Sequence, residues 1–145
     1  MKLFIGSDHG GYLLKQKVKT FLADKFSNWE ITDVGCDSAE SCDYPIFGRE
    51  VAESVLKTPD SRGIVICGSG VGISIAANRV QGIRTVLANS VELATLGRQH
   101  NGAQILAMGE RTQFIDQPED IVTAFMNTEV DRGERHEKRR GLLDN

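Results

Sequence analysis

No apolar run in this chain of 145 residues approaches the ~18 that a membrane-crossing helix requires; Ile64-Val65-Ile66-Cys67 is among the longest. Ser7, Asp8 and His9 interrupt the opening Met-Lys-Leu-Phe-Ile-Gly too early for a signal peptide, so a cytoplasmic protein is expected. Charge of one sign is also missing. Seventeen Lys and Arg against 20 Asp and Glu leave a net charge of −3, which gives no global reason to seek nucleic acid or an anionic membrane. Cysteine is scarce and odd in number: Cys36, Cys42 and Cys67 cannot build a disulfide framework and point to a reducing compartment. The Cys36/Cys42 spacing has no histidine pair nearby, which speaks against zinc or any other metal site. Internal repeats, linkers and low-complexity segments are absent, so residues 1–145 are read as one domain. What remains, 40% hydrophobic and 26% charged, is the composition of an ordinary globular fold.

Short apolar runs alternate with longer amphipathic ones. Strands are expected at Lys2–Gly6, Trp29–Val34, Gly63–Cys67, Ile83–Ala88 and Gln104–Met108. The first, third and fifth are continuous apolar runs, as suits parallel strands covered on both faces. Helices are expected at Gly11–Phe26, Phe47–Lys57, Gly72–Arg79, Val91–His100 and Pro118–Asn127. In the first, Leu14, Val18, Phe21 and Leu22 form one stripe with Lys15, Lys17 and Lys19 largely off it. The pattern predicts an α/β fold: a doubly wound, Rossmann-like five-stranded parallel sheet of order 2-1-3-4-5, with helices on both faces. A charged C-terminal helical tail over 129–145 follows.

Ligands of such sheets lie beyond the carboxyl ends of the strands, at the switch in strand order. There the first strand runs into Ser7-Asp8-His9-Gly10-Gly11, and the third into Cys67-Gly68-Ser69-Gly70-Val71-Gly72. Three glycines in five residues at a helix start make an anion cradle of backbone N–H groups. Single residues exclude the familiar versions. Ile73 stands where a dinucleotide fingerprint needs glycine and where a phosphatase loop needs arginine. Gly70 breaks Cys-x-x-Cys, and no Gly-Lys-Ser/Thr follows. A tight βα turn without a ligand remains possible. Cys67 adjoins these N–H groups, a setting that lowers a thiol pKa from ~8.5; otherwise it is a small buried hydrophobe. Cys36 and Cys42 lack that setting. Asp8 could simply cap a helix, as could Asp43 before Tyr44-Pro45, and His100-Asn101-Gly102 could end one. Together these residues are expected to place carboxylate, imidazole, thiol and glycine loop at one end of the sheet.

At these residues the chain resembles the ribose-5-phosphate isomerase B family of sugar-phosphate isomerases. The matching segments are Gly6–Gly11, Asp43-Tyr44-Pro45, Cys67–Ser74 with Ala76-Ala77-Asn78, Gly82-Ile83-Arg84, Arg98-Gln99-His100-Asn101 and Gly133–Arg139. They span nearly the whole chain in order. The galactose-6-phosphate branch resembles it less, lacking the Gln-His-Asn segment. The resemblance implies interconversion of D-ribose 5-phosphate and D-ribulose 5-phosphate in the pentose phosphate pathway, without metal or cofactor. It makes Cys67 the base between C1 and C2 and gives His100 the opening of the furanose ring. Asp8, His9, Tyr44, Gly68, Ser69, Gly70, Val71, Gly72 and Asn101 match substrate-contacting positions, and Arg111, Arg135 and Arg139 match phosphate ligands. Some members replace the cysteine by serine and use a later glutamate; here Cys67 is present and that stretch reads Ile75-Ala76. The resemblance also implies a homodimer or homotetramer with sites shared between subunits, the tail packing on a neighbour. An isomerase of six-carbon phosphates such as allose or galactose 6-phosphate is the alternative enzyme, and a phosphate- or nucleotide-binding regulatory module the non-enzymatic one.

The chemistry fits independently. Aldose–ketose exchange needs a base for a carbon-bound proton, a relay between two oxygens and donors for an enediolate. Cys67 thiolate can be the base, and N–H groups of Gly68–Gly72 an oxyanion hole worth ~3–4 kcal/mol per donor. Asp8 can relay the second proton, and an imidazole such as His100, with an unperturbed pKa near ~6.5, moves protons at neutral pH. Arg135 and Arg139, four apart on a helix, can clamp one phosphate.

Overall fold

The short apolar runs become strands and the amphipathic ones helices. The computed structural model describes all residues, Met1–Asn145. Its strands are β1 (Lys2–Ser7), β2 (Glu30–Asp33), β3 (Arg62–Cys67), β4 (Thr85–Leu87) and β5 (Ile105–Gly109). Its helices are α1 (Tyr12–Lys25), α2 (Tyr44–Lys57), α3 (Val71–Asn78), α4 (Val91–Gln99), α5 (Pro118–Asn127) and α6 (Glu134–Leu143). None of the helices is long and apolar enough to cross a membrane. Side chains alternate along a strand, so a strand buried on both faces needs two apolar sets. Leu3, Ile5, Ile64, Ile66, Leu106 and Met108 face one core, filled by Leu14, Val18 and Leu22 of α1, Ala94 of α4 and Ile121, Val122 and Phe125 of α5. Val65, Cys67, Ile105 and Ala107 face the other, against Val51 and Val55 of α2 and Ile73 and Ala77 of α3.

All strand pairs are parallel, but the order is β2-β1-β3-β5-β4, not the expected 2-1-3-4-5. Two physical reasons place β5 inside. Every residue of β5 is buried, whereas the three residues of β4 are all partly or well exposed, as an edge strand permits. Handedness gives the other. The crossovers through α2 and α3 step one way along the sheet on one face, so right-handedness sends the crossover through α4, on the opposite face, back toward β3.

Local chemistry sets the helix starts. Pro118 opens α5 with Glu119 and Asp120 in its first turn, and the Ser90 hydroxyl accepts the Leu93 N–H to cap α4. Asp43 precedes α2 without a side-chain capping bond; Pro45 fixes that start instead. One lysine departs from the pattern. Lys15, expected largely off the buried stripe, is wholly buried, with Nζ 2.8 Å from Asp33 Oδ1 and donating to the Cys36 carbonyl at 2.6 Å. Lys19 reaches Asp33 Oδ2 at 2.6 Å, and the Gly35 N–H also donates to this carboxylate. Burial alone would push the Asp33 carboxyl up, but these hydrogen bonds outweigh it and hold the group below its ordinary value.

Candidate active site

Because β1 and β3 are neighbours whose chains then turn to opposite sides, a crevice opens beyond their carboxyl ends. The two loops there touch: a Cβ built on Gly10 would lie 3.1 Å from the Gly68 nitrogen. Cys67, 4% exposed, ends β3, and the Gly70 N–H donates to its Sγ at 3.1 Å, a contact that stabilises negative charge on sulfur. Gly70 has φ +76° and caps α3, and a side chain there would strike Leu87, Met108 and Gly109. Gly72 lies under the Tyr44 ring so closely that a Cβ would come within 2.6 Å of Cζ. The Ser69 hydroxyl accepts the exposed Val71 N–H. The Arg111 side chain runs past Gly68, 3.5 Å from where a Cβ would stand.

Asp8 is buried at the end of β1, its Oδ1 accepting the Gly11 N–H at 3.1 Å to cap the turn His9–Gly11. His9 Nδ1 lies 3.2 Å from the Cys42 nitrogen and 3.3 Å from the Cys42 carbonyl oxygen, contacts that hold the ring against the loop before α2. The Cys42 thiol is pushed above its ordinary value, first by partial burial and then by its hydrogen bond with the Cys36 thiol, so it stays protonated near neutrality. Glu110 joins the crevice walls, a role that sequence reasoning missed. Its carboxylate accepts the Leu14 N–H of α1 at 2.8 Å, while its own N–H donates to the Cys67 carbonyl and that of Arg111 to the Gly68 carbonyl. The distance of 96 residues between Leu14 and Glu110 hid this link.

The remaining site residues lie elsewhere, which corrects the expectation of a single cluster. Helix α4 starts at the carboxyl end of β4 and runs back about 14 Å, so His100 and Asn101 sit at the amino end of β5. That rim is separated from Cys67 by the length of a strand, roughly 15 Å or more. The tail completes this second cluster. The His100 and His136 rings are stacked, centroids 4.4 Å apart and planes 8° from parallel. Arg140 donates to the His100 carbonyl at 3.0 Å, and Arg84 Nε to that of Asn101 at 2.7 Å. Arg84 also pairs with Asp144. Arg135 and Arg139 are exposed on α6. One chain thus carries two groups: Asp8, His9, Tyr44, Cys67–Gly72 and Arg111 at one pole, His100, Asn101, Arg135 and Arg139 at the other.

A cavity of about 510 Å³ opens on the same amino-end rim as the second group, around Arg62, Arg98 and Trp29. Its guanidiniums are engaged structurally, Arg62 with the carbonyls of Phe125 and Met126 and Arg98 with those of Ala103 and Thr128. Burial lowers Arg98 to about 10.

Residues 3–143 match the family model described as Ribose/Galactose Isomerase. Ribose-5-phosphate isomerase B of Mycolicibacterium paratuberculosis is 41% identical over 99% of this chain and 89% of its own, and that of Escherichia coli 39% over 95% and 91%. Among solved structures, ribose-5-phosphate isomerase B of Clostridium thermocellum superposes with a TM-score of 0.91 at 48% identity, covering 99% of this chain and 95% of that one.

Proposed function

Since the chain belongs to the Ribose/Galactose Isomerase family, we propose that it interconverts D-ribose 5-phosphate and D-ribulose 5-phosphate through an enediolate. The observation that carries this reading is the Cys67 sulfur, held at a strand end under the Gly70 N–H with the glycine loop beside it. Cys67 takes the proton from C2 of the open aldose and returns it to C1. Loop N–H groups between Gly68 and Gly72 carry the oxyanion charge that develops, a duty for which bare main chain at a helix start is preorganised. Asp8 relays the proton between the two oxygens, while Tyr44 and the His9 imidazole bind the sugar. The relatives named for a pentose phosphate favour five carbons over six. Three free thiols fit a reducing cytoplasm.

His100 opens the sugar ring, and Arg111, Arg135 and Arg139 hold the phosphate. With the poles of one chain a strand length apart, the working site joins the Cys67 pole of one protomer to the His100 pole of its partner. A two-fold dimer has two such sites. The test follows ribulose 5-phosphate turnover with solvent deuterium entering the transferred position. With ribose 5-phosphate, whose ring must open, Cys67→Ala and His100→Ala chains, each largely inactive alone, regain about a quarter of wild-type specific activity when equal amounts exchange subunits, because half the dimers keep one intact site. No turnover by the wild type ends the isomerase reading; no recovery on mixing ends the shared site.

The tail has its own signature. Arg139→Ala raises KM for the sugar phosphate about 10- to 100-fold with little change in kcat, because a phosphate remote from the reacting carbons contributes largely uniform binding. Steady-state kinetics check this, and a loss confined to kcat contradicts it.

A further inference from the structure

The stacked pair at the second pole involves a histidine to which the mechanism above gives no task. His136 is on the first turn of α6, between Arg135 and Arg139, with its side chain 17% exposed. Its ring lies on His100 at 4.4 Å between centroids and 8° between planes. Three further contacts fix the arrangement. The His136 N–H donates to the Gly133 carbonyl, the Asp131 N–H donates to the Gln99 carbonyl at 2.9 Å, and Arg140 holds the His100 carbonyl. The imidazole proposed to open the sugar ring is therefore clamped on one face by a side chain from the tail.

We propose that His136 is a positioning residue for ring opening: its imidazole fixes the plane of the His100 ring and leaves His100 as the member of the pair that exchanges a proton with the sugar. This rests on the isomerase reading above. The charges facing His136 support the division of labour. Desolvation first, then His100 and the Arg135 and Arg139 guanidiniums, push His136 below the ordinary histidine value. Asp131, whose Oδ2 lies 3.7 Å from Nε2, opposes them and is outweighed. His136 is thus neutral at pH 7. On the His100 side the charged neighbours are Arg140, on its carbonyl, and the Arg84–Asp144 pair beside Asn101.

Ring chemistry separates this role from proton abstraction. Ribose 5-phosphate is a furanose that must open before reaction. Ribulose 5-phosphate stays open-chain, because the hydroxyl that would close its furanose carries the phosphate. Washout of tritium from C1 of ribulose 5-phosphate therefore needs the enediolate but no ring step. The equilibrium constant ties the two directions of net conversion together, so the informative quantity is washout relative to net conversion. In His136→Ala, kcat for ribose 5-phosphate falls about tenfold, as a small misplacement of a reacting group does, with KM within about twofold of wild type. Washout per net turnover rises by a similar factor. His136→Phe, which keeps a flat ring against His100, stays within about twofold of wild type in both.

The proposal is overturned if washout and net conversion fall together in His136→Ala, if the loss is all in KM, if nothing changes, or if the phenylalanine variant behaves like the alanine one. A failure of the base assignment looks different: Cys67→Ala would keep its washout.

Discussion

Cys67→Ala lowers kcat for the pentose phosphate at least ~10³-fold and leaves the protein folded. Proton transfer by a positioned group is typically worth 10²–10⁴-fold, and the proposed base also lies beside the Gly70 N–H, in the loop proposed to stabilise the product of its step. The sulfur sits in the core with Val65, Ile73 and Ala107, so its removal costs about 1 kcal/mol of packing, the scale of losing one buried heavy atom. Parallel measurement of kcat and of the urea midpoint separates these effects. A fall in kcat of less than tenfold with an unchanged midpoint would remove the sulfur from the chemistry. Cys67→Ser tests the same point at nearly constant volume, because a hydroxyl is a far weaker base.

The second large effect concerns stability. Lys15→Met and Asp33→Asn each leave one partner of a buried contact without its counter-charge, a change that costs about 3–5 kcal/mol. Asp33→Asn is the more severe, since the Lys15 ammonium is wholly buried whereas the Asp33 carboxylate retains Lys19 and the Gly35 N–H. For a chain of this length the loss moves the thermal midpoint by roughly 10 °C or more. The sign of the pH dependence follows from Asp33. Its folded value lies below that of the unfolded chain, so its stabilisation is complete above the unfolded value, near ~3.9, and disappears as pH falls through the folded one. Urea melts from pH 7 down to about pH 2 should show the wild type losing its advantage over Asp33→Asn across that acid range. A constant difference between the two proteins would contradict the assignment.

The sequence was most readable where one physical rule governed it. Continuous apolar runs located β1, β3 and β5, because a strand covered on both faces has no polar alternative. Glycines beside Cys67 located the crevice, and four-residue spacing put Arg135 and Arg139 on one short helix. The rest depended on long-range partners. Lys15 looks like a surface lysine until Asp33, 18 residues away, is beside it. Strand order turned on which face α4 covers, and its modest apolar stripe gives no direction. The same helix explains the misplaced His100: proximity to a strand in sequence does not say at which end of the sheet a returning helix stops. His136 lay within a recognised segment, but a ring stack between residues 100 and 136 has no periodicity to reveal it.

The bridging carboxylate of Glu110 acts on the crevice as a pin acts on a calliper. One residue grips the first turn of α1 with its side chain and the end of β3 with its backbone, so the jaws on either side of the crevice cannot spread independently. With the gauge of the opening set by the scaffold, a change in the carbohydrate length accepted is expected from altered side chains on the crevice loops, such as Tyr44 over Gly72 and the exposed Ser69. Specificity in this fold is then a matter of upholstery rather than of hinges.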